Sequence, residues 1–129
     1  MNTDDVAEWI KITDDDLDSA EILNQAFRKH YDIICYHCAQ AAEKYLKGFM
    51  ESKNIIPEKT HNLTYLNSIC IENDIRFTNI KTECDFLNNF ANSIRYPHRY
   101  ETKEADANFC INATIKIRDF EPINNLRNS

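Results

Sequence analysis

Apolar positions recur along this chain at steps of three and four residues, the spacing of one face of an α-helix. The first series is Val6, Trp9/Ile10, Thr13, Leu17, Ala20, Leu23 and Phe27, which predicts a helix over residues 4–27. Thr3 suits its N-cap, and Asp4 and Asp5 fall at the positive end of the helix dipole. A second helix is predicted over residues 31–53 from Ile34, Cys38, Ala41/Ala42, Tyr45 and Phe49. Cys38, Ala39, Ala41, Ala42 and Gly48 are small, so a neighbouring helix can approach closely there. Another line of the same helix, His37, Gln40, Lys44, Lys47 and Glu51, is polar throughout.

Residues 54–59, with Pro57, read as a loop, and Thr60 or Asn62 suits the cap of a third helix carrying Leu63, Leu66 and Ile69/Cys70. Asn73 and Asp74 mark its end. Thr78 opens a fourth helix with Ile80, Cys84, Leu87, Phe90/Ala91 and Ile94 inward, stopped by Pro97 because the residue before a proline avoids helical geometry. Thr102 suits the cap of a fifth, with Ala105, Phe109/Cys110, Ala113, Ile117 and Phe120 inward, ending before Pro122. Residues 121–129 read as a polar tail. The pattern predicts one all-α domain over residues 1–129, a mostly antiparallel, up-and-down bundle of about five helices.

Composition supports that reading. One glycine and three prolines in 129 residues leave little material for the tight turns that sheets need. The same scarcity rules out a glycine-rich phosphate loop. No apolar run approaches the roughly 20 residues of a membrane span. The acidic start, Met1-Asn2-Thr3-Asp4-Asp5, lacks the regions of a signal peptide, so a cytoplasmic, membrane-free protein is expected. The net charge is −6, but residues 1–23 carry eight acids against Lys11 alone, a net of −7, leaving about +1 for the rest. A local basic patch is therefore compatible with an acidic total.

Asp14, Asp15 and Asp16 point about 100° apart on a helix, cannot converge on one ion, and are expected to face water. Cys35-Tyr36-His37-Cys38 contains a CxxC, but no strand precedes it and no further ligand pair completes a zinc site. The five cysteines, Cys35, Cys38, Cys70, Cys84 and Cys110, are read as reduced core residues, with no metal and no cofactor expected. His61 either joins a site or caps and packs the third helix, and His30 and His37 read as surface or interface positions. The densest constellation is Ser93-Ile94-Arg95-Tyr96-Pro97-His98-Arg99-Tyr100-Glu101. Arginine forks onto phosphate, tyrosine stacks on bases and histidine moves protons near neutral pH. The alternative is that Arg95 pairs with an acid such as Glu101 while the tyrosines pack the loop.

Ile34-Cys35-Tyr36-His37-Cys38-Ala39-Gln40-Ala41-Ala42-Glu43-Lys44-Tyr45-Leu46-Lys47 resembles the second helix of prokaryotic HEPN proteins. Lys59-Thr60-His61-Asn62-Leu63 is similar to that family's Lys-Thr-His-(Asp/Asn)-Leu helix start, and Arg95-Tyr96-Pro97 to its Arg-Tyr-Pro signature. The resemblance spans roughly residues 6–120. It implies a helical bundle that commonly dimerises, often encoded beside a minimal nucleotidyltransferase as a toxin–antitoxin pair. Many members resemble or are ribonucleases, using an Arg-x4–6-His pair. Here only two residues separate Arg95 from His98 and no histidine follows Arg99, a departure from that spacing. The basic His98 after Arg-Tyr-Pro is a second departure.

Three functions follow as expectations. In the first, a homodimeric protein partnered with a nucleotidyltransferase binds a nucleotide or RNA. Arg95, His98 and Arg99 contact phosphate, Tyr96 or Tyr100 meets a base, and Lys44 and Lys47 add positive potential. In the second, a metal-independent endoribonuclease uses Arg95 to hold the scissile phosphate and His98 as general base. The third is a non-catalytic dimeric scaffold. Ile12, Ile22, Tyr36 and Leu46 lie off the predicted stripes and are expected to need cover from a second copy.

Overall fold

The computed structural model describes residues 3–25, 30–91 and 101–128. Six α-helices, and no strand, occur among the described residues: α1 (Thr3–Asn24), α2 (Tyr31–Ser52), α3 (Leu63–Asn73), α4 (Lys81–Asn88), α5 (Glu104–Asp119) and α6 (Glu121–Asn124). Short 3₁₀ turns, Ile75–Ile80 and Asn125–Asn128, complete them. The all-α bundle predicted from periodicity is the observed architecture. None of these helices is long and apolar enough to cross a membrane.

The centre of the bundle is α2, buried on most of its circumference. Besides the predicted stripe, Cys35, Ala39, Leu46 and Met50 are also inaccessible. Leu46 therefore needs no second copy to cover it, contrary to the sequence reading. Gly48 explains the close approach of α1. A Cβ there would lie 3.0 Å from Ile10 Cδ1 and 3.1 Å from Trp9 Cδ1, tighter than ordinary contact. In the same place Trp9 Nε1 donates to the Lys44 carbonyl at 2.8 Å. α1 and α2 run antiparallel, with Trp9 beside Gly48 and Asp16 beside Lys44. α5 runs in the direction of α2, because Cys110 pairs with Cys35 and, one turn on, Thr114 donates to the Cys38 carbonyl.

Several boundaries differ from the periodic reading. The first helix ends at Asn24, and Phe27 lies outside the described residues. The fourth begins as a 3₁₀ turn at Ile75, capped by the Asp74 side chain on Arg76 N–H, and its α-helix stops at Asn88. Ile94 and Pro97 lie outside the described residues. Lys103, not Thr102, holds the N-cap position of α5 without a side-chain cap, and the Asp106 carboxylate accepts from the Lys103 N–H at 2.9 Å. The buried side of α5 is Ala107, Cys110, Ile111, Ala113, Thr114 and Ile117, which leaves Ala105 and Phe109 exposed. Phe109 instead packs on Phe86, ring centroids 4.2 Å apart.

The largest difference is at the C-terminus. Residues 121–128 are not a polar tail: Pro122 and Ile123 are buried, and Arg127 returns to α1. Arg127 donates from Nη2 and Nε to the two Asp14 oxygens, at 2.5 and 2.9 Å. Tyr45 Oη donates to the same carboxylate at 2.5 Å, and the guanidinium lies 5.9 Å from the Tyr45 ring. Asp16 takes Lys44 Nζ at 2.6 Å. Two of the three adjacent aspartates thus hold helices together, and only Asp15 is exposed as the sequence suggested.

Candidate functional site

On the other flank of α2, Ala39, Ala42, Glu43, Leu46 and Met50 form one line at helical spacing, and Glu43 is its single charged member. Its residue is only 7% exposed. A carboxylate in such a position is costly unless its oxygens are paired. Lys47, one turn on, donates to Oε2 at 2.9 Å, and His61 Nδ1 lies 2.6 Å from Oε1. A carboxylate only accepts, so Nδ1 carries the hydrogen, and Nε2 has no partner among the described residues. The His61 side chain is 61% exposed.

The loop that carries His61 is fixed by its own polar groups. Thr60 N–H donates to the Glu58 carbonyl at 2.8 Å, and Asn62 N–H to Thr60 Oγ1 at 3.1 Å. The Asn62 side chain caps α3 by accepting from Tyr65 N–H, 3.0 Å away. Asn88, at the end of α4, accepts from Leu63 N–H at 2.8 Å. Of the two caps that the sequence offered, Thr60 and Asn62, Asn62 is the one used, and the His61 ring turns to Glu43 instead. Lys59, Thr60, His61, Asn62, Asn88 and Ala91 line a cleft of about 390 Å³. These residues carry an ammonium, a hydroxyl, an imidazole and two amides, and none of the described lining residues carries a carboxylate.

Arg95, Tyr96, His98, Arg99 and Tyr100 lie outside the described residues. In sequence they follow the cleft wall directly, Arg95 four positions after Ala91. Lys44 and Lys47 are both paired, Lys44 with Asp16 on the α1 side and Lys47 with Glu43 beside His61. The structure therefore brings Lys47 to His61 and leaves Lys44 on another face. Sequence reasoning missed Glu43. Its signal was an acid within an otherwise apolar line of α2.

All five thiols are free and buried. Burial pushes Cys38 and Cys70 up to about 12, and Cys84 rises for the same reason. Cys110 rises through its hydrogen bond with Cys35 and then through burial. Such thiols are poor nucleophiles and poor metal ligands. No group of three or more His, Cys, Asp or Glu suited to a metal ion occurs among the described residues.

No curated protein and no solved structure matches the chain. A family model, that of the HEPN domain, matches residues 6–124, which include the three motifs and every helix described above except the first turn of α1. The chain belongs to the HEPN domain family.

Proposed function

We propose that this protein binds a nucleotide or RNA through phosphate at the cleft beside His61, as the dimeric member of a toxin–antitoxin-like pair with a nucleotidyltransferase. Family membership supports a nucleotide- or RNA-related role in general. The observation that carries the phosphate reading is the cleft itself. Its described lining donates hydrogen bonds and carries positive charge, without a carboxylate to repel an anion. The Arg-Tyr-Pro segment that follows Ala91 adds two forked cations within nine residues of this wall. Exposed apolar side chains support the dimer, with Ile22 68%, Ile12 48% and Phe109 42% exposed.

Fluorescence anisotropy with a short single-stranded RNA tests the reading. Arg95→Ala, Arg99→Ala and Lys59→Ala should each weaken binding. Each should also reduce the salt dependence by roughly 0.7 in log–log slope, the value for one contact to single-stranded phosphate. A wild-type protein that binds neither RNA nor mononucleotides at low salt overturns it. Light scattering at micromolar concentration tests the dimer, and co-purification with a nucleotidyltransferase encoded beside it tests the pair.

A further inference from the structure

His61 and Glu43 make an arrangement that anion binding alone does not need. A phosphate cleft would be served by Lys59, Thr60 and Asn88 with any neutral residue at position 61. Instead, an imidazole on the cleft wall has one nitrogen tied at 2.6 Å to a carboxylate that is nearly inaccessible to solvent. That carboxylate is held in turn by Lys47 at 2.9 Å. The tie fixes the ring and its tautomer, and it leaves Nε2 as the atom able to change its hydrogen-bonding sense. Neutral, Nε2 only accepts and offers nothing to a phosphate oxygen. Protonated, it donates, and the new positive charge lies between the Glu43 carboxylate and the anion.

We propose that the Glu43–His61 pair makes this cleft a proton-gated phosphate site, tighter when His61 is protonated. The proposal rests on the phosphate reading above and adds its regulation. Histidine is the side chain that ordinarily changes charge between pH 5 and 8, so the gate works in the physiological range. Among the described residues, the other charged groups around the ring are few. From α2 come Glu43 and Lys47, and from its own loop come Lys59 and Glu58. Glu58 is occupied by the Tyr65 hydroxyl at 2.7 Å. On α4, Asp85 is engaged by Lys81 and Thr64, and the residue that reaches the cleft is the neutral Asn88. Among these groups, His61 is the one histidine.

The experiment is RNA binding as a function of pH. The probe is a short oligoribonucleotide without terminal phosphates, because its diesters keep their charge throughout, whereas a monoester loses charge near pH 6 and would oppose the effect. Wild-type affinity should rise about tenfold from pH 8 to pH 5.5. His61→Gln should show no such rise. Glu43→Gln should blunt it. Should Glu43→Gln not fold, the His61 imidazole of the wild-type protein is followed by NMR: addition of RNA should favour its protonated form, and an unmoved titration counts against the gate. Arg95→Ala should lower affinity at every pH and keep the rise. A mononucleotide arm identifies the source of the phosphate: a His61-dependent response with adenosine monophosphate but not with RNA assigns the gate to free nucleotide. If the wild type binds without pH dependence, or His61→Gln keeps the full rise, the gate is wrong while phosphate binding stands. If the wild type binds no probe at any pH, both fall.

Discussion

Two carboxylates, Asp14 packed against α2 and Glu43 on it, contrast in a way that separates structure from function in this molecule. Asp14 is surrounded: Tyr45 Oη and two guanidinium nitrogens of Arg127 share its two oxygens. The Arg127 guanidinium in turn reaches the Arg118 carbonyl and the Asn124 side-chain oxygen. Glu43 has the same number of oxygens and likewise two partners, but one of them is a ring at a surface cleft whose other nitrogen has no partner among the described residues. The first network closes upon itself and welds the C-terminal turns onto α1 and α2. The second ends in an atom that can bind something. A buried acid is weak evidence for a site, since desolvation only demands that it be paired. What points to function is a partner with unspent hydrogen-bonding capacity.

If that contrast holds, Arg127→Ala has the largest effect on stability. Breaking a fully buried pair costs roughly 3–5 kcal/mol. With side-chain exposures of 19% and 26% for Arg127 and Asp14, about 2 kcal/mol is expected, some 8 °C in Tm by calorimetry. RNA binding should be unchanged once the protein is folded. A loss of binding equal to that of Arg95→Ala would join the two networks and break the comparison.

Tyr45→Phe is next, at about 1 kcal/mol for one hydrogen bond measured by urea unfolding at pH 7. It also carries a pH signature. Burial raises the Tyr45 phenol above its ordinary value, and the adjacent Asp14 raises it further. The folded state therefore keeps the proton where the unfolded chain releases it near pH 10. Stability is fully present below that point and falls above it, and Tyr45→Phe should lessen the fall. The buried thiols act in the same direction from about pH 8.5, so the tyrosine share is read as the difference between wild type and variant.

His61→Gln should change stability by less than about 0.5 kcal/mol, because the side chain is 61% exposed. A Tm loss rivalling that of Arg127→Ala would make the Glu43–His61 tie a structural brace and remove the contrast. The smallest expected quantity is the coupling between the two networks. Arg127→Ala and His61→Gln share no partner, so the double variant should be additive within about 0.5 kcal/mol in denaturant unfolding.

The sequence by itself determined what depends on neighbours in the chain. Three- and four-residue periodicity placed α2 and most of α1, and turn chemistry narrowed the α3 cap to Thr60 or Asn62 and placed the end of α3 at Asn73. Small residues on α2 announced a close helix approach, which Gly48 makes against Trp9 and Ile10. The three motifs identified the family. Tertiary structure alone decided what joins distant positions. Asp14 and Arg127 stand 113 residues apart, and neither carries a local signal for the other, so one read as a solvated acid and the other as part of a tail. The short α6 could not be inferred from its own four residues, since a helix of one turn is stable only where packing supports it. The exposure of Phe109 followed from how α5 is rotated against α2, a choice made by the whole core. Glu43 is the intermediate case. Its place in an apolar line was legible, but its partner was not: the loop that ends at Asn62 had to fold back before His61 could meet it. Periodicity is a property of one helix, whereas the pairing of a buried charge is a property of the space between two.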